Sequence, residues 1–265
     1  MAGKLFIVGF GPGDKKHMTL RCLEAIEQSD VIAGYELYVD LIREMLENKE
    51  VYTTQMQEEI DRVKTAIQKA LEGHAVSLVS SGDSGVYGMA GLVFEVLSEM
   101  RAQGLPVDIE VEVIPGVTAA TAVAALLGAP LMHDFATISL SDLLTPWPVI
   151  LKRIEAAAAA DFVIVIYNPK SSRRVTQVVE ARDVILKYRH KSTPVGIVRK
   201  AYREGQEVIV TDLEHMLNHK IDMLTTIVVG NSSTFVFNGR MVTPRGYSGK
   251  YELLKNDRVG EETIV

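Results

Sequence analysis

Three glycine-bearing loops, each directly behind a strand-like apolar run, constrain this chain more than any other feature. They are Gly9-Phe10-Gly11-Pro12-Gly13-Asp14, Ser81-Gly82-Asp83-Ser84-Gly85-Val86-Tyr87-Gly88 and Pro115-Gly116-Val117-Thr118-Ala119-Ala120. Strand-like runs at 4–8, 75–80 and 107–114 precede them, and helix-like segments follow. Strands alternating with helices predict an α/β fold, and open α/β sheets bind ligands at the carboxyl ends of their strands. Three such loops together predict a ligand site built largely from backbone and small side chains.

The intervening sequence fits that class. Thr19 predicts a helix cap, with Leu20, Leu23 and Ile26 on one face of a helix running to Gln28. A short strand is expected at 30–33. An amphipathic helix is expected at 58–72, with Ile60, Val63, Ile67, Ala70 and Leu71 as its apolar stripe and Gly73 just beyond its end. Over 107–114, Val107, Ile109, Val111 and Val113 alternate with Asp108, Glu110 and Glu112, which predicts a strand with one wet face at a sheet edge. Pro115-Gly116 ends that pattern and an alanine-rich helix follows at 117–127. Further strands are expected at 136–140, 162–167, 194–198, 207–211 and 225–230. The turn Tyr202-Arg203-Glu204-Gly205 pairs two of them, so the second half reads as a mixed sheet. The expected organisation is two α/β domains, 1–115 and 116–243, followed by a tail at 244–265.

Composition removes several functions. The 265 residues are 47% hydrophobic and 23% charged, which fits an ordered globular chain. The net charge of −6 argues against a nucleic-acid partner. The single cysteine, Cys22, forms neither an internal disulfide nor a thiolate zinc site and reads as a small core residue. His215 and His219 are four apart but lack a third ligand, so no metal is expected. The opening residues carry no signal-peptide run. The uncharged stretch 113–132 is interrupted by Pro115, Gly116, Gly128 and Pro130, which makes it a poor membrane span. A soluble, cytoplasmic protein without membrane partners is expected.

The first loop invites a dinucleotide reading, and departs from it twice. Pro12 lacks an N–H, and Asp14 stands where a close-packing glycine belongs and would repel a pyrophosphate. An NAD-dependent dehydrogenase is therefore the weaker alternative. The loop's glycines leave room for something large and flat beside the strand end. Asp14 and His17 follow directly, a polar pair suited to proton transfer near neutral pH.

Val8-Gly9-Phe10-Gly11-Pro12-Gly13-Asp14 resembles the opening loop of the tetrapyrrole methylase family. Ser81-Gly82-Asp83-Ser84-Gly85-Val86-Tyr87-Gly88 and Ile114-Pro115-Gly116-Val117-Thr118-Ala119 resemble its second and third signatures. Tyr167-Asn168-Pro169 and Thr225-Thr226-Ile227-Val228-Val229-Gly230 match two later segments, so the resemblance runs in order along nearly the whole chain. Three further segments, Gly34-Tyr35-Glu36-Leu37-Tyr38, Leu140-Ser141-Asp142-Leu143-Leu144-Thr145-Pro146-Trp147 and Gly246-Tyr247-Ser248-Gly249-Lys250-Tyr251, are similar to the branch acting at C17. That branch methylates a corrin precursor, precorrin-3B or cobalt-factor III, and contracts its ring. Ser84 departs from the pattern, since many relatives carry proline there.

The resemblance implies two α/β domains with S-adenosylmethionine between them, and commonly a homodimer. It carries cofactor positions onto Pro12, Ser81, Gly82, Asp83, Val86, Thr118, Ala119, Asn168, Ala201, Thr225 and Thr226. The tetrapyrrole would meet Gly11, Asp142, Trp147, Arg245 and Lys250, the basic members suiting its carboxylates. His17 and Asp14 are the candidates for acid–base work. A methyltransferase for another precorrin position, or a non-catalytic tetrapyrrole or cofactor sensor, remains open.

Overall fold

The computed structural model of the protein describes residues 3–55 and 57–253, so the expected tail lies outside the described residues from 254 onward. The first half alternates as the sequence predicts. β1 (Lys4–Gly9) leads to α1 (Leu20–Gln28), β2 (Val31–Tyr35), α2 (Glu36–Asp40) and β3 (Glu50–Thr54). Then come α3 (Glu59–Leu71), β4 (Ala75–Ser80), α4 (Ala90–Ala102) and β5 (Glu110–Ile114). The five strands form one parallel sheet in the order β3-β2-β4-β1-β5. β5 is an edge strand, as its alternation predicts. Glu112 on its wet face takes two bonds from Arg21, at 2.7 and 2.6 Å, and Glu110 pairs with Lys4 at 2.7 Å.

Two helix faces differ from expectation. Thr19 caps α1 as predicted, its hydroxyl accepting from the Cys22 N–H at 3.1 Å. However, Leu20 is 79% exposed, and α1 buries Cys22, Ala25 and Ile26. Small residues let the helix lie close to β1 and β4, close enough for Ser29 and Ser77 to bond at 2.8 Å. In α3 the expected stripe loses Ile60 to solvent and gains Arg62. The Arg62 guanidinium is buried because it donates to the Thr54 hydroxyl at 2.7 Å and the Gln55 carbonyl at 3.0 Å. Burial without a carboxylate partner pulls its pKa below the ordinary arginine value.

The second half holds α5 (Ala119–Leu127), β6 (Gly128–Ala129), β7 (Phe135–Ser139), α6 (Trp147–Ala159) and β8 (Val163–Tyr167). It continues through α7 (Gln177–Ile185), β9 (Pro194–Arg199), β10 (Glu207–Asp212) and β11 (Thr225–Val229), and closes with β12 (Phe235–Phe237) and β13 (Arg240–Val242). A second sheet runs β10-β9-β11-β8-β7. β7 and β8 are parallel while the other pairs are antiparallel, so the sheet is mixed. β12, β13 and β6 form a small third sheet.

Each large sheet is covered on both faces by helices. In the first, Leu5 and Ile7 meet Val63, Ile67 and Val93, while Phe6 and Val8 meet Cys22, Ile26 and Val39. In the second, Ile164 and Ile166 meet Ile150, Ile154 and Ala181, while Val163 and Val165 meet Ala120, Val123 and Leu127. Among the described residues no helix is long and apolar enough to cross a membrane.

Candidate ligand cleft

β1 lies between β4 and β5, with Gly9 opposite Ser80 and Val8 opposite Ile114. Their three following loops therefore emerge side by side, roughly 4.8 Å apart at the strand spacing, and they interlock. Gly11 N–H donates to the Gly82 carbonyl at 2.9 Å. The Asp83 carboxylate accepts from Gly85 N–H at 2.8 Å and from Gly116 N–H at 3.0 Å. A Cβ on Gly9 would stand 2.8 Å from the Gly82 oxygen and 2.9 Å from the Gly116 nitrogen, and one on Gly11 or Gly116 would overlap the Gly82 backbone. The glycines at 9 and 11 are thus required by the close approach of the three loops. Their missing side chains are filled by neighbouring backbone, so the absent Cβ atoms make room for the second and third loops. Gly82 differs: its φ is +72°, and a Cβ there would meet only the Ala119 nitrogen at 3.9 Å. That side of the second loop is open.

The second sheet presents its own strand ends. Ser139, Tyr167, Arg199 and Thr225 fall at one end of it by register. The Tyr167 hydroxyl accepts from Ala120 N–H at 2.8 Å and lies 2.6 Å from the Thr118 hydroxyl, so it caps the first turn of α5. Burial pushes its phenol pKa up. Tyr87, from the second loop, sits 5.1 Å from the Tyr167 ring and donates to the Thr137 carbonyl at 3.0 Å. Val86, Ala119, Ala201 and Tyr167 share one apolar cluster. Five sequence-predicted residues (Gly82, Val86, Thr118, Ala119 and Ala201) are brought together around Tyr167, and Asn168 follows it.

Asn168 takes a left-handed φ of 50° and donates to the Ser139 hydroxyl at 3.0 Å. Thr225 and Thr226 begin β11 at the same sheet end, both buried. The Thr225 hydroxyl is committed locally, donating to Asp222 and accepting from its N–H, each at 3.1 Å.

Asp14 and His17 sit together without forming a dyad. The Asp14 carboxylate accepts from Lys16 N–H at 2.8 Å, capping a short turn, and stands 3.9 Å from the His17 Nδ1. That nitrogen is buried without a hydrogen-bond partner among the described residues, and the ring lies 4.2 Å from Tyr202. Tyr202 belongs to the β9–β10 turn, so the two halves meet here. In the same turn, Arg203 donates through Nε to the Pro12 carbonyl at 3.0 Å and through Nη2 to the Ser81 hydroxyl. The sequence marks this stretch only as a turn. Nothing local to it says that its arginine reaches loops 122 and 191 residues away.

The remaining candidates scatter. Asp142 accepts from Gln177 at 2.9 Å, and the Trp147 indole donates to Glu180 at 2.8 Å; both follow the site end of β7. Arg245 does not join them. It reaches the Met132 carbonyl at 3.5 Å and lines a cavity of about 340 Å³ with His133, Phe162 and Asn231, at the opposite end of the second sheet. Lys250 lies over the exposed Tyr251 ring at 5.5 Å. Cys22 is buried, and desolvation pushes its thiol pKa up to about 11, as suits an inert core residue.

Two helix-covered α/β sheets whose strand-end loops meet, bringing Gly82, Thr118 and Ala119 beside Tyr167, define an α/β protein of two halves. A profile of Tetrapyrrole (Corrin/Porphyrin) Methylases matches residues 4–217, and the chain belongs to that family. A cobalt-factor III methyltransferase of Priestia megaterium is 55% identical over 258 residues. The match covers 97% of this chain and 48% of the relative, so the chain spans about half that protein's length. A probable cobalt-factor III C(17)-methyltransferase of Salmonella typhimurium is 48% identical, covering 92% of this chain and 99% of the relative. Among solved structures, the methyltransferase CobJ matches with a TM-score of 0.85 at 34% identity, covering 91% of this chain and all of that one.

Proposed function

We propose that this chain transfers a methyl group from S-adenosylmethionine to C17 of a corrin precursor, precorrin-3B or cobalt-factor III, with contraction of the macrocycle. The observation that carries the reading is the open side of Gly82 facing Thr118 and Ala119 at the head of α5, walled by Tyr87 and Tyr167. It is a cradle of small residues and free backbone with aromatic sides. Such a cradle suits a nucleoside cofactor that brings its own reactivity. The names carried by the Priestia and Salmonella relatives support the choice of substrate and position.

When bound, the cofactor supplies an electrophilic methyl on a sulfonium. This chain's residues supply placement, which dominates when two reactants must be held in line. Ser81, Gly82, Asp83, Val86, Thr118, Ala119, Asn168 and Ala201 hold the cofactor. Asp83 acts through the loops it fastens, and Thr226 and the buried Thr225 close the floor. Pro12 joins the cofactor residues, while His17 faces the macrocycle, with Asp142 and Trp147 at its rim. Residues 1–115 and 116–243 act as two domains of a cytoplasmic homodimer.

Calorimetric titration with S-adenosylhomocysteine tests the cofactor, and light scattering tests the dimer. Turnover with cobalt-factor III or precorrin-3B tests the reaction: mass spectrometry should show one added methyl, placed at C17 by NMR. Cofactor binding without turnover would make the chain a sensor, and methylation elsewhere would remove the C17 assignment.

A further inference from the structure

Arg203 carries a charge that no carboxylate among the described residues answers. Arg21, Arg189 and Arg199 are neutralised, by Glu112, by Asp161 at 2.9 Å and by Asp222 at 2.6 Å, whereas the partly buried Arg174 donates to the Asn168 carbonyl and the Met223 sulfur without an ion pair among the described residues. Arg62 has no carboxylate either, but its donors are taken up by Thr54, Gln55 and the Met89 sulfur. Arg203 forms no ion pair among the described residues, and the ionisable neighbour acting on it is the Tyr38 phenol. Two of its nitrogens are fixed on Pro12 and Ser81. The third, Nη1, makes no hydrogen bond among the described residues and is not buried.

Arg203 lines an opening of about 450 Å³ between the halves, together with Gly13, Asp14, Tyr202 and Glu204. Asp14 and Glu204 are the carboxylates of this opening, and neither comes within ion-pair distance of the guanidinium. Asp14 is already committed to the Lys16 N–H. Gly13, at φ +136°, has no room for a side chain because the Arg203 Nε would lie 2.9 Å from its Cβ. The loop therefore accommodates the arginine. Burial lowers the guanidinium pKa, yet the group stays protonated at neutral pH. A half-desolvated cation with a fixed plane and an open edge is matched by a planar anion, above all a carboxylate taken by two parallel N–H bonds.

We propose that Arg203 binds a carboxylate of the ligand in the cleft, and that its bonds to Pro12 and Ser81 aim the guanidinium for that contact. The inference rests on the methyltransferase reading. The carboxylate has two sources in that reading: the amino-acid end of the cofactor, or an acidic side chain of the tetrapyrrole.

The test compares wild type, Arg203→Gln, Arg203→Lys and Ser81→Ala. Each is titrated with S-adenosylhomocysteine and, separately, with uroporphyrin as a stable tetrapyrrole polycarboxylate, at low and high salt. Arg203→Gln should weaken one of the two ligands by about tenfold to a hundredfold and flatten its salt dependence. The ligand affected names the source. Arg203→Lys, which keeps the charge, should recover part of the affinity. Ser81→Ala, which removes one aiming bond but no charge, should keep the wild-type salt slope. Unchanged binding of both ligands by folded Arg203→Gln overturns the proposal and leaves the methyltransferase reading intact. Equal losses in Arg203→Gln and Ser81→Ala with an unaltered salt slope also overturn it, since Arg203 would then be a structural clasp. Failure of wild type to bind either ligand removes both.

Discussion

The carboxylate of Asp83 accepts a 3.0 Å hydrogen bond from the backbone N–H of Gly116, 33 residues further along the chain. Its other oxygen holds Gly85, so one side chain shapes the second loop and ties it to the third. The strands beneath arrive in register, and this bond adds to the backbone packing of Gly116 on Gly82 in fixing the loops' relative height. Asp83 thus sets how the open side of Gly82 is presented to the third loop, and the same contact contributes to stability.

Asp83→Asn tests that coupling. The amide retains one acceptor oxygen and turns an NH2 toward one of the two backbone donors. Losing one charge-assisted hydrogen bond costs about 1.5–3 kcal/mol. In a chain of this size that lowers the melting temperature by several degrees, at roughly 2–4 °C per kcal/mol. Affinity for S-adenosylhomocysteine should fall about tenfold, because Gly82 and Ala119 lose their mutual placement. A folded mutant with an unchanged dissociation constant removes Asp83 from the site.

Ala119→Leu tests the cradle itself. Ala119 begins α5 beside the open side of Gly82 and packs, like Val86 and Ala201, against the apolar cluster that contains Tyr167. It is half-buried, so a larger side chain has the cleft to enter. Leucine is a good helix former, and α5 should persist with little change in circular dichroism. Cofactor binding should be lost or weakened by more than about a hundredfold. Retained affinity would mean that the cofactor lies elsewhere.

What the sequence made legible was periodicity. The alternation at 107–114 placed β5 at an edge, and the turn at 202–205 paired β9 with β10. β3 escaped because Glu50–Thr54 is mostly exposed, with little apolar pattern to read. The β12–β13 hairpin did leave a signal, Asn238-Gly239, whose positive φ values of 48° and 73° suit a two-residue turn. The glycine loops were visible as a group, while their purpose was not. Whether a missing Cβ makes room for a ligand or for a neighbouring loop depends on strand order, which is a long-range property. The same holds for Arg203, whose partners lie in the other half of the chain.

The pair Arg21–Glu112 predicts a pH effect of known sign. The bonds from Arg21 hold the Glu112 carboxyl down at about 2, against an ordinary value of 4.5. A depressed acid adds stability that is fully present above its unfolded pKa and lost as pH falls through its folded one. The contribution should therefore disappear between pH 4.5 and about 2. Both side chains are about one-third exposed, 34% and 32%, so solvent screens the pair. Glu112→Gln should melt about 1–3 °C below wild type at pH 7, and the gap should close near pH 2. A gap that persists at low pH would attribute the effect to packing instead of charge.

His17→Ala separates binding from chemistry. The ring leans on Tyr202 at the junction of the halves, and its Nδ1 is buried without a partner. A buried imidazole nitrogen with no hydrogen bond is costly unless a ligand or water meets it. Asp14, 3.9 Å away, is too far to fix its tautomer by a hydrogen bond and is engaged with Lys16. In the proposed reaction His17 is the member of the pair left to move a proton, while Asp14 caps the turn beside it. The Gly82–Ala119 cradle contains no part of His17, so S-adenosylhomocysteine should bind His17→Ala near wild-type strength. Turnover of precorrin-3B or cobalt-factor III should fall by about 10²–10⁴ if the imidazole acts as acid or base. Asp14→Asn keeps an oxygen for the Lys16 N–H, and its loss should stay below about tenfold, the cost of a loosened cap. A His17→Ala loss under about threefold with cofactor affinity intact would falsify the acid–base role and leave the imidazole as a packing partner of Tyr202.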